Sequence, residues 1–171
     1  MLMHQQNLFR SPKSNGLLLS WFLLLALIAC LSVYGRTLQA ESKQWLSGNG
    51  VAVAFVAATL LLCVLAMRWA LKNHGRKIFW HLLWLIPLFV IYPLNLHIVE
   101  ERLHFILFGG LGFITLLLWR PLPGLLLCCL AAGGDELLQW FLPSRVGDWR
   151  DVGFNLLACL GGAAFAVLGR K

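Results

Sequence analysis

Residues 16–34 read GLLLSWFLLLALIACLSVY, nineteen residues without an Asp, Glu, Lys, Arg or His. About 20 such residues wound as a helix cross the roughly 30 Å hydrocarbon core of a bilayer. In lipid the backbone must satisfy its own hydrogen bonds, so a lone apolar run of this length is a helix and not a strand. Five further segments share its character: 51–71, 78–92, 101–119, 125–142 and 152–168. They predict an all-α fold, a polytopic transmembrane bundle of about six helices.

Composition points the same way. The chain has 171 residues, 60% hydrophobic and 12% charged, with a mean hydropathy of +0.78. These values exclude a disordered chain, a secreted disulfide scaffold and a cytosolic enzyme. The formal net charge of +7 does not indicate nucleic acid, because the bases stand in short clusters between apolar runs and form no polar face. Cys30, Cys63, Cys128, Cys129 and Cys159 all fall within apolar runs, where a thiol acts as a small hydrophobe, and no disulfide is expected.

Orientation follows from the basic residues between spans. One side receives Arg10, Lys13, Arg68, Lys72, Arg76, Lys77, Arg120, Arg170 and Lys171; the other receives only Arg36, Lys43, Arg102, Arg145 and Arg150. Nine against five places both termini in the cytoplasm and the connectors at 100–102 and 144–151 on the outer face. Arg10 and Lys13 before an apolar run reaching Cys30 resemble a lipoprotein signal, but the run continues through Leu31, Val33 and Tyr34, as in an ordinary first helix. Trp45, Trp69, Trp80, Trp119, Trp140 and Trp149 lie near predicted span ends, as an aromatic belt requires. Pro121 and Pro123 are read as a turn between the fourth and fifth spans.

Six of the seven acids lie between residues 100 and 151, and ionisable groups within spans are costly enough to mark sites. Glu101 and His104 share one side of a helix's first turn, an arrangement that suits general-base chemistry or ligation and equally suits an acid at a helix amino terminus. His97 follows Pro93 and Asn95 and is peripheral. Glu136 and Gln139 share a face, with Glu136 about 10 Å along the helix from Pro143. Asp135 and Glu136 point about 100° apart, so both can serve one small site only if the helix breaks there, for which Gly133 and Gly134 give an opportunity. Asp151 and Asn155 lie one turn apart near the start of the last helix, and Arg145 before them suits a phosphate, a carboxylate or a neighbouring Asp. The candidate binding set is Glu101, His104, Glu136, Gln139, Arg145, Asp151 and Asn155, with His104 and Glu136 as candidates for proton transfer. No metal-ligating set is assigned and no cofactor is indicated.

Glu101-Arg-Leu-His104-Phe, Glu136-x-x-Gln139 and Pro143-x-Arg145 followed by Asp151 and Asn155 resemble, in order and spacing, the VanZ-like family of bacterial integral membrane proteins. The resemblance covers residues 78–168, so 1–77 is read as an amino-terminal two-helix addition and 78–171 as the VanZ-like membrane domain. Many relatives carry Asp-Lys where this chain has Glu100-Glu101, and Ala158 stands where a glycine is common. The resemblance implies the bacterial inner membrane and an association with reduced susceptibility to the glycopeptide teicoplanin. It implies no established catalytic residue. The reading is an outward-facing polar pocket that engages a cell-envelope component, either a lipid headgroup or a lipid-linked wall precursor, with no nucleic-acid partner. A membrane-embedded enzyme acting on a phosphate-bearing lipid or precursor is the alternative, followed by a small transporter or a purely structural protein.

Overall fold

The structure, a computed structural model, describes residues 12–45, 50–74, 78–96, 99–143 and 147–168. Its elements are α1 (Pro12–Trp45), α2 (Gly50–His74), α3 (Ile78–Ile86, continued by a π turn, Pro87–Ile91, and a short piece, Tyr92–Asn95), α4 (Val99–Leu118), α5 (Pro121–Trp140) and α6 (Trp149–Leu168). The described residues contain no strand, and the fold is all-α as expected. Among the described residues, three stretches are long and apolar enough to cross a membrane: Ser14–Leu38 of α1, α5 and α6. Phe79–Asn95 and Arg102–Leu118 are shorter apolar helices.

Helix ends differ from the expected spans for local reasons. α1 has 34 residues, about 51 Å at 1.5 Å each, so it outruns the bilayer core. Hydropathy stops near Tyr34, whereas Leu38, Gln39, Ala40 and Glu41 are good helix formers and continue the same helix. The 78–92 span is not one regular helix. Pro87 has no N–H to donate and its ring crowds the preceding turn, and the chain answers with a π turn in which the Tyr92 N–H reaches the Pro87 carbonyl. Pro121 and Pro123 form no separate turn: they lie in the first turn of α5, where a missing N–H costs nothing.

The centre of the bundle is the contact of α4 with α6. A Cβ on Gly112 would fall on the Cys159 carbonyl, and one on Gly162 on the Gly109 carbonyl, so these glycines set the helix separation. Around them Phe105, Phe108 and Leu111 of α4, Cys128 and Ala132 of α5, Ala158 and Cys159 of α6, and Trp21 and Ile28 of α1 make one buried cluster. α1 is pinned within it by Trp21 Nε1, which donates to Thr115 Oγ1 at 2.8 Å. Trp80, Trp140 and Trp149 are exposed at helix ends. Trp69 and Trp119, expected in the same belt, turn inward and pack edge-on against Phe113 and Trp21, because large neighbouring rings there offer more burial than the headgroup level does. The outward faces carry exposed Leu19, Phe22, Leu61, Leu83, Leu126 and Leu130, a surface suited to lipid.

Candidate functional site

Antiparallel packing brings one end of four helices together. These are the latter part of α1, the first turns of α4, the last turns of α5 and the first turns of α6. Each contributes a polar side chain to one cluster: Ser32, His104, Asp135 with Glu136 and Gln139, and Asn155.

Asp135 is its hub. Ser32 Oγ donates to Oδ1, while Oδ2 accepts from Gln139 Nε2 at 3.2 Å and from Asn155 Nδ2 at 3.5 Å. The same oxygen lies 3.4 Å from His104 Nδ1, with the Asp135 side chain 2% exposed and the imidazole 12%. A carboxyl so deeply buried is tolerable only because both of its oxygens meet donors. Glu136, 5% exposed, accepts from Gln139 Nε2 at 3.4 Å through Oε1 and from the Asp148 backbone N–H at 3.2 Å through Oε2.

Both carboxyls therefore serve one cluster without a helix break, contrary to the sequence expectation. α5 runs unbroken through Gly133 and Gly134, where an added Cβ would meet nothing within 4 Å. Gln139 lies four residues beyond Asp135 and three beyond Glu136, so its amide spans the angle between them, and α1 and α6 supply partners from either side. Asp148 organises the start of α6: its side chain accepts the Arg150 N–H at 2.9 Å, and its carbonyl accepts from the Asp151 and Val152 N–H groups.

Of the residues singled out in the sequence, His104, Glu136, Gln139 and Asn155 come together, with Asp135 as the link. Asp151 lies in the first turn of α6, half-buried, and its Oδ1 is buried without a hydrogen-bond partner among the described residues. The Glu101 side chain, His97 and Arg145 fall outside the described residues. Arg102 is turned to the end of α3, where Nε and Nη2 donate to the Leu96 carbonyl at 2.9 and 2.5 Å.

Sequence reasoning missed Ser32 and undervalued Asp135. A serine in an apolar helix can satisfy itself on the carbonyl four residues back, and Ser32 does lie 3.0 Å from the Ile28 carbonyl, so nothing local betrays its second contact. For Asp135 a signal existed, since an acid in a span needs partners, and Gln139 four residues on is one. Chemically the cluster can fix an imidazole, hold two carboxyls and present amides. No group of three or more His, Cys, Asp or Glu side chains among the described residues is placed to hold a metal ion.

Comparison with known proteins places this arrangement. No curated protein and no solved structure matches the chain. The VanZ/LLP1 family profile matches residues 17–170, a range that includes Ser32 and every other described residue of the polar cluster. Over nearly its whole length, the chain belongs to the VanZ/LLP1 family.

Proposed function

We propose that the polar cluster is an outward-facing site in the bacterial inner membrane, with both termini cytoplasmic, that engages a cell-envelope component. That component is a lipid headgroup or a lipid-linked wall precursor. The observation that carries the reading is the burial of two adjacent carboxyls, Asp135 and Glu136, in a network drawn from four helices. Ionisable groups within a membrane bundle are costly, and packing alone is better served by apolar side chains. The basic-residue count supports the outward direction, since the cluster shares the end of the bundle that carries fewer Lys and Arg residues. An effect on glycopeptide susceptibility follows from the same placement, because wall precursors are exposed at that face.

The test uses purified full-length protein in detergent micelles offered a lipid-linked wall precursor or phospholipid, with binding measured at equilibrium. Saturable binding of either, lost in Glu136→Leu at unchanged protein level, is expected. Binding that is absent for both, or indifferent to Glu136→Leu, contradicts the proposal and leaves the cluster a structural lock.

A further inference from the structure

His104 meets Asp135 through Nδ1, 3.4 Å from Oδ2. A neutral imidazole has one ring hydrogen; a carboxylate facing Nδ1 keeps it there and leaves the Nε2 lone pair open. Asp135 cannot readily turn away, because Ser32 holds one of its oxygens and Gln139 and Asn155 hold the other. The imidazole is accordingly oriented from behind by a carboxyl that is itself fixed by three helices. In proton-transfer sites such a carboxyl sets the tautomer and steadies the charged ring that forms.

We propose that His104 Nε2 is the hydrogen-bond and proton acceptor of this site, with Asp135 as its positioning residue, and that it receives a neutral hydroxyl of the bound envelope ligand. This rests on the binding function proposed above. In the step itself the ligand O–H bond breaks and an N–H bond forms at Nε2. The electron pair stays on the oxygen, and the ring's new charge lies beside Asp135. Among the described residues, Asp135 lies 3.4 Å from the ring and Asp151 interacts with it electrostatically; both are acids, and these surroundings favour a neutral hydroxyl over an anionic group. A lipid headgroup or the sugar of a wall precursor can supply that hydroxyl.

Full-length protein with ¹⁵N-labelled histidine in phosphatidylcholine bilayers, which carry no hydroxyl, provides the test by solid-state NMR. The His104 signals are identified by their absence in His104→Gln. Neutral His104 is expected to carry its hydrogen on Nδ1, and in Asp135→Asn to carry it on Nε2, as a carboxamide donating to Nδ1 dictates. Diacylglycerol and a lipid-linked disaccharide are then added separately, with triacylglycerol as the hydroxyl-free control. A shift of the Nε2 signal with either hydroxyl probe, and none with triacylglycerol, supports the inference and tells the two sources apart. A hydrogen on Nε2 in the wild type, or an Nε2 signal indifferent to both hydroxyl probes, overturns it. The wild-type spectra decide even where Asp135→Asn does not accumulate. Precursor binding that depends on Glu136 while Nε2 stays unmoved overturns this inference alone and leaves the binding function standing.

Discussion

Asp135 and Glu136 are neighbours in sequence with different surroundings, and the difference governs what their replacement should do. Asp135 gathers Ser32, His104, Gln139 and Asn155, whereas Glu136 reaches Gln139 and the backbone of Asp148. Ser32→Ala removes one interhelical bond in the bundle and should lower stability by about 0.6–2 kcal/mol, read as an earlier midpoint in denaturation from micelles. Glu136→Gln keeps an acceptor for the Asp148 N–H but turns an amide donor toward Gln139 Nε2, and so should lower stability by one hydrogen bond, about 0.5–1.5 kcal/mol. It should weaken precursor binding at least about tenfold, or 1.4 kcal/mol, in the assay proposed above. His104, Glu136, Gln139 and Asn155 were legible because polar residues at helical spacing in an apolar chain need a reason. Ser32 was not, because its partner is 103 residues away and its local alternative on Ile28 hides the need.

Helix contacts were legible to the extent that small residues mark them. Ala158 and Gly162, small residues one turn apart on α6, are both buried, but the partner of Gly162 on α4 emerges only from the fold. Gly112→Ala and Gly162→Ala would each press a methyl into a backbone carbonyl of the other helix. Overpacking of this kind costs about 1–3 kcal/mol, and these variants should lie at or above the top of that range because backbone does not yield as a side chain does. Gly134→Ala, in open space on a continuous helix, should instead gain about 0.5–1 kcal/mol. Thermal unfolding of all three in one detergent checks the contrast, and equal destabilisation of Gly134→Ala and Gly112→Ala would contradict the α4–α6 packing. The π turn at Pro87 was half-legible: proline announces an interruption, but a wider turn, a kink and a full stop share that signal.

Across the whole molecule, the lipid-facing leucines, the interior glycines and the polar cluster fall into one arrangement, in which Ser32 in the latter part of α1 joins, through Asp135, the polar side chains of the first turns of α4 and α6 and the last turns of α5. Connectivity alone makes this consistent, since these helices alternate in direction. What sequence patterning could not fix was depth and rotation, which depend on which neighbour each face meets. The central claim, that this cluster opens to the outer face, is tested most directly by labelling with a membrane-impermeant maleimide in intact cells, in a background whose five native cysteines are replaced. Trp149 serves as the reporter on the cluster's side, because it is 86% exposed beside the cluster. Trp149→Cys should label without permeabilisation, and Gly75→Cys in the basic connector only after it. Labelling of Gly75→Cys in intact cells with Trp149→Cys protected would contradict the account, turning the cluster to the cytoplasm and away from the wall.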